Sequence, residues 1–378
     1  MTAMTSKPMT ATERVAAALE FREPDRVPHF DLYWGAFSER WRRSHGLPTD
    51  AEREKLDGVD DPEINAYYDV DLYVAIADES TWYSRVGLVR REGEYEIRRD
   101  GWGRLVRVRP DARFSEEVET PFADKSALDH LVFDPPASEG RYAAFMDSIA
   151  KMRSQPSPPF ILCKVGGPYL RSSFLRGEAN WLMDMAEDPG FVDALAGRVA
   201  DHLIAMGLES LRRGQLYDTG IAIYDDIAGN RGLTMGPRLY RRFFVPQMAR
   251  IVAAFRQAGA RHIMFHSDGD IRAVLPDLAD IGINAINPVE PRAHMDALEL
   301  RRQYDGRLAL VGGLCNSAII PSGTDQEVRE HVLRVLRAGE GGGLVIGSHT
   351  VGPDISQERY DYMISLIRQY GRYPLHLP

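Results

Sequence analysis

The sequence predicts a (β/α)8 barrel, an α/β fold built as a single domain with one inserted β-hairpin. Three observations predict it. Eight short apolar runs, rich in branched or aromatic residues, end abruptly in polar, glycine or proline residues. Stretches of helical period separate the last five of them, a rhythm that demands parallel pairing because parallel neighbours need a crossover. No G-x-G-x-x-G turn follows the first run, as an open doubly wound sheet would show.

In order, the predicted strands are residues 27–33, 71–78, 159–165, 220–226, 262–269, 283–290, 308–314 and 343–349. Helices are predicted over 237–257, 271–280, 295–304, 325–338 and 356–370. Between the second and third strands, residues 94–108 alternate around an Asp-Gly and a further Gly, which reads as an antiparallel hairpin. Residues 1–10 lack the apolar stretch of a secretory signal and read as a flexible tail, leaving 11–378 as the barrel domain. No repeat of solenoid period is present.

Composition narrows the function. The 378 residues are 44% hydrophobic, enough for a large core, and carry a net charge of −9 with acids and bases interspersed. That balance argues against nucleic-acid binding, which needs a basic face to neutralise phosphates. No run approaches the length of a membrane span. The two cysteines, Cys163 and Cys315, lie far apart outside any CxxC pattern, which fits a reducing compartment and predicts a cytoplasmic protein.

In a barrel of this kind, reactive side chains come from the carboxyl ends of the strands. Here those ends carry Asp31, Asp78, Asp225, Asp226, His266, Asp268, Glu290, Cys315 and His349. The sharpest pattern is His266-Ser-Asp268, because residues two apart on a strand share a face and can address one ion. His349, ending the eighth strand, completes a two-histidine, one-carboxylate set suited to Zn²⁺ or Fe²⁺; the bland alternative is a histidine capping the next helix.

Asp225 and Asp226 are adjacent acids able to shift each other's pKa, or else a loop cap and an ion pair with Arg231. Glu290, between two prolines, is a positioned base or a loop acid. Cys315 is a fourth ligand or a small packed residue. Tyr224 ends the fourth strand beside the two acids, and Tyr169 and Arg171, after a Gly-Gly-Pro turn, line the pocket mouth or pack on the surface. His29 and His45 carry no pattern. Serine-hydrolase, zincin and Walker motifs are absent.

Several motifs together resemble the uroporphyrinogen decarboxylase superfamily. They are the opening ATERVAAALEFREPDRVP, then GIAIYDDIAGNRGLTMGP, FHSDGDIRAVLPDLADIGINAINPVE, GGLCNSAIIPSGTDQEV and GSHTVGPDISQERYDYM. The resemblance implies a (β/α)8 barrel and a homodimer. Decarboxylases proper carry an arginine-bearing M-R-Q-A-G-R-Y segment after the first strand, where this chain reads HFDLYWGAFSERW; a tyrosine expected after the Gly-Pro turn is replaced by Phe174. Porphyrinogen decarboxylation is therefore not expected.

The other branch of the superfamily, to which the chain is more similar, comprises cobalamin-dependent methyltransferases that hold zinc through an H-x-C pair and a later Cys four residues before a proline. His266 matches the first ligand; Asp268 stands in place of the second, and His349, four residues before Pro353, in place of the third. By this resemblance the chain is a metal-dependent methyltransferase or demethylase acting on a small O-methyl donor. Asp226 or Glu290 would handle the proton. A partner protein would supply the corrinoid, since no D-x-H-x-x-G motif occurs here. Two other readings remain. One is a metal-free decarboxylase or lyase with Asp78 and His349 as acid and base and Arg171 as anchor; the other is a barrel that binds a ligand without turnover.

Overall fold

The computed structural model describes residues 8–49, 61–109 and 115–378. Residues 1–7 of the expected tail lie outside it. Thr10 accepts a hydrogen bond from the Glu13 backbone and begins the first helix, Ala11–Leu19, with a capping box.

Fourteen strands are formed among the described residues. The chain makes β1 (His29–Tyr33) and β2 (Leu72–Ile76), then leaves the barrel for β3 (Gly87–Glu92), β4 (Tyr95–Arg99), β5 (Leu105–Val108) and β6 (Glu116–Glu119). It returns with β7 (Phe160–Gly166) and β8 (Ile221–Tyr224), adds a short ribbon of β9 (Ala228–Gly229) and β10 (Gly232–Leu233), and continues through β11 (Ile263–His266), β12 (Ala285–Asn287), β13 (Ala309–Gly313) and β14 (Leu344–Val351).

Eight of these strands pair in parallel in the order β1, β14, β13, β12, β11, β8, β7, β2. They coincide with the eight predicted runs. The two ends of this nearly closed sheet meet at Asp71, whose N–H donates to the His29 carbonyl at 2.8 Å. Its carboxylate accepts from the His29 N–H at 2.9 Å and from Arg14 and Arg26 at 2.7 Å each. A buried carboxylate held by two guanidinium groups closes the seam where a full strand ladder is lacking.

Strand alternation decides which side chains enter the barrel. Leu72, Val74, Phe160, Leu162, Ala222 and Met264 fill its interior, and Val15, Ala18 and Leu19 of the first helix join the same cluster. Intervening residues such as Phe265 pack outward in the larger core shared with the helices. Two residues beyond Leu162, Ala222 and Met264 come Lys164, Tyr224 and His266, so apolar packing gives way to polar side chains at the carboxyl ends of the strands.

The predicted hairpin is β4 paired with β5, and it is the centre of a larger sheet of order β3, β4, β5, β6. Its outer strands were illegible because GLVRRE and EEVE are mostly exposed and show no apolar alternation. Charged edges of this kind keep a sheet from pairing with other chains. Trp102, between β4 and β5, packs edge-on against Phe174 at 5.8 Å and ties the insertion to the barrel. Among the described residues, no helix is long and apolar enough to cross a membrane.

Candidate metal centre at the barrel mouth

Three of the predicted ligands converge. His266, Asp268 and His349 each offer one donor atom, and the three atoms lie within 4.8 Å of one another. Asp268 Oδ1 stands 3.8 Å from His266 Nε2 and 3.6 Å from His349 Nδ1. It is buried and has no hydrogen-bond partner. A carboxylate oxygen in this condition between two imidazoles could share a cation with them.

The surroundings prepare His266 to act as a ligand. Asn287, from the neighbouring strand β12, donates its amide N–H to the Val311 carbonyl at 3.0 Å, which turns its oxygen to His266 Nδ1 at 2.6 Å. An acceptor there requires the proton on Nδ1, leaving the Nε2 lone pair facing Asp268. Tyr224 stacks on the imidazole face with centroids 4.0 Å apart and planes at 14°. Burial pushes both histidines below the ordinary imidazole pKa, for His349 with help from His266, so both are neutral donors. Burial also pushes the Asp268 carboxyl up to about 6, against the pull of His349 and reinforced by Asp226.

The backbone is shaped to match. Gly269 takes φ +85°, and a Cβ there would lie 2.7 Å from the Ala228 carbonyl, so the turn after Asp268 passes too close to the β9 ribbon for any side chain. Glu290 accepts the Gly269 N–H at 2.7 Å, and Asp226 Oδ1 accepts the Asp268 N–H at 3.2 Å. His349 itself sits at φ +70°, a left-handed conformation uncommon outside glycine and favoured at functional positions.

Asp226 therefore belongs to the mouth, 3.7 Å from His266 Nε2, and Glu290 holds the turn beside it. The other predicted residues are placed differently. Asp225 is wholly buried and accepts the N–H groups of Leu170 and Tyr169 at the start of the helix Pro168–Arg176. One of the two adjacent acids is thus a cap, though of an earlier helix. Tyr169 is buried against Phe244 with its hydroxyl donating to Glu178, so it does not line the mouth.

Phe174 lies under the guanidinium groups of Arg104 and Arg171. Arg171 is buried and ion-paired with Glu79. Asp78 is exposed and accepts from the N–H and hydroxyl of Ser80. Asp31 is buried on the outward face of β1, bonded to His29, Tyr360 and Ser348. Cys315 is buried, donates its backbone N–H to His331, and is not part of the ligand group; the expectation of a fourth ligand there finds no support in the geometry.

Sequence reasoning missed Asn287, Glu79 and Lys164. Lys164 donates to Glu79 Oε1 at 2.7 Å, and Arg171 pairs with the same oxygen. Burial opposes ionisation of Glu79, but Arg171 and Lys164 hold it down to about 2. The available signal was a polar residue breaking an apolar strand: Lys in PFILCKV and Asn in INAINPVE each fall two residues after an inward-facing one.

A sequence model described as uroporphyrinogen decarboxylase (URO-D) matches residues 107–370, well over half of the chain. The chain belongs to the uroporphyrinogen decarboxylase family. Among solved structures, a methyltransferase from Methanosarcina mazei shares this family member's fold with a TM-score of 0.68 at 16% identity, covering 96% of this chain and 99% of its own. No curated protein matches the sequence.

Proposed function

We propose that this uroporphyrinogen decarboxylase family member is a metal-dependent methyltransferase or demethylase. It takes a methyl group from a small O-methyl compound and passes it to a corrinoid carried by a separate protein. The observation that carries the reading is the partnerless Asp268 Oδ1 between His266 and His349. The fold shared with a methyltransferase supports it.

His266, Asp268 and His349 would hold Zn²⁺ or Fe²⁺, two imidazoles and one carboxylate being a hard donor set that leaves positions open for oxygen. Such an ion supplies Lewis acidity to the ether oxygen, which makes it a better leaving group. The protein supplies the rest. Asn287 fixes the His266 tautomer, and Tyr224 fixes the ring plane. Asp226, with its side chain half exposed beside His266, would handle the proton exchanged with the departing oxygen. Glu290 keeps the Asp268 turn in position and adds negative charge near His349.

The metal-free lyase is the weaker reading. Its anchor, Arg171, is buried and turned to Glu79, and its acid, Asp78, is engaged by Ser80.

Metal analysis by mass spectrometry tests the proposal on protein purified without chelators. Native protein should carry near-stoichiometric zinc or iron, and His266→Ala and His349→Ala should lose it. A metal-free native protein defeats the reading. Methyl transfer to free cob(I)alamin from a panel of methoxy compounds, followed by the cobalamin absorbance change, then separates a catalyst from a barrel that only binds.

A further inference from the structure

We propose that Lys164 seats an anionic group of the substrate, so that the small molecule taken by this barrel is a carboxylate with a flat or apolar body. For the identity of the other end of that molecule, the inference rests on the methyl-transfer reading. The anion seat itself does not.

The β7 strand fixes the position. Phe160 and Leu162 fill the barrel interior, and Lys164 is the next residue on the same face, 10% exposed. Burying an ammonium carries a penalty of several kcal/mol that only matched charge and hydrogen bonds offset. The match within the protein is incomplete. Lys164 and Arg171 both turn to Glu79 Oε1, while the other oxygen of Glu79 accepts the Gly166 N–H. Two cations thus share one carboxylate.

The donors are unmatched as well. An ammonium has three N–H bonds, yet among the described residues Glu79 is the hydrogen-bond acceptor that Lys164 has. Arg171 Nε is buried without a partner. Asp226 also faces Lys164 across the mouth, but its Oδ1 accepts the Asp268 N–H and it makes no hydrogen bond to the lysine. Burial, then the repulsion of Arg171, lowers Lys164 to about 8 against the pull of Glu79, which leaves it charged at neutral pH. A ligand carboxylate supplies what is lacking: hydrogen-bond acceptors for the ammonium and for Arg171 Nε.

The wall between this ammonium and the histidines sets the rest of the molecule. Lys164 Nζ lies 5.6 Å from the Tyr224 ring centroid, and His266 stacks on the same ring at 4.0 Å. Ile76, the register neighbour of Lys164 on β2, is 45% exposed. An anionic end at Lys164 and an oxygen near His266 would be joined by a body that passes the Tyr224 ring, along an apolar and aromatic surface.

Calorimetric titration of the chelator-treated full chain with benzoate and with benzamide tests the seat without metal or turnover. Benzoate should bind the native chain, and benzamide should bind at least about tenfold more weakly. Lys164→Gln should lose benzoate by about tenfold or more, and Lys164→Arg should keep it. Equal binding of the two probes, absence of benzoate binding, or undiminished binding by a folded Lys164→Gln overturns the proposal. The comparison of probes on the native chain decides the matter even if that variant fails to fold. A metal-free protein that binds benzoate through Lys164 sinks methyl transfer and leaves the anion seat standing; a metal-loaded protein indifferent to benzoate does the reverse.

Discussion

The 2.6 Å hydrogen bond between His266 Nδ1 and Asn287 Oδ1 determines which imidazole nitrogen faces the barrel mouth. The bond works because the Asn287 amide is oriented from behind by the Val311 carbonyl. Asn287→Ala frees the ring to change tautomer and leaves that carbonyl without its donor. Zinc titrations against a competing chelator should show affinity falling about 10- to 100-fold. Stability should fall by only about 1–2 kcal/mol. Unchanged affinity would contradict the assignment of Nε2 as the donor.

Protons should compete with metal at Asp268. Its carboxyl titrates at about 6, so the anionic ligand is present above that pH and is lost below it. Metal retention measured between pH 5 and 8 should drop steeply on the acid side of about 6. Asp268→Asn should bind weakly across the whole range, with a shallower dependence.

A second pH effect belongs to Asp225. Burial raises its pKa to about 7 from an ordinary 3.8, despite the N–H groups of Leu170 and Tyr169. The native state therefore holds a proton that the unfolded chain has released, and this contribution is complete below about 4 and lost as pH rises through 7. Asp225→Asn removes that dependence. Thermal scans should show the variant gaining melting temperature over the native chain at pH 8 and not at pH 4.

Glu79→Gln tests the cluster beneath the mouth. The change removes from the buried cations Lys164 and Arg171 the carboxylate that both pair with. Denaturant unfolding at pH 7 should show a loss of about 3–5 kcal/mol. Since Glu79 titrates at about 2, the stabilisation it gives is present above its ordinary 4.5 and fades as pH falls toward 2, so native and variant should converge in acid.

Gly269→Ala should damage the turn that carries Asp268. The new Cβ would meet the Ala228 carbonyl at 2.7 Å, and φ +85° disfavours any side chain. A loss of about 1–3 kcal/mol in calorimetry is expected, accompanied by weakened metal binding. A similar glycine replacement at Gly236, which has open space around it, should leave metal binding untouched.

The sequence by itself determined the eight barrel strands, because each is an apolar run packed on both faces and bounded by residues that break it. It also suggested His266 and Asp268 as neighbours from their spacing of two, although β11 ends at His266 and a turn held by Asp226 and Glu290 carries Asp268. The exposed strands β3 and β6 carry no such alternation and emerged only from pairing with β4 and β5. Tertiary structure alone decided that His349, eighty-one positions after Asp268 in the chain, stands 3.6 Å from its carboxylate. It alone separated Asp226 at the mouth from Asp225 in the core, and supplied Asn287, Glu79 and Lys164. The physical reason is that local pattern encodes which face a side chain takes, whereas charge pairing, desolvation and hydrogen-bond direction depend on strands that only barrel closure makes neighbours.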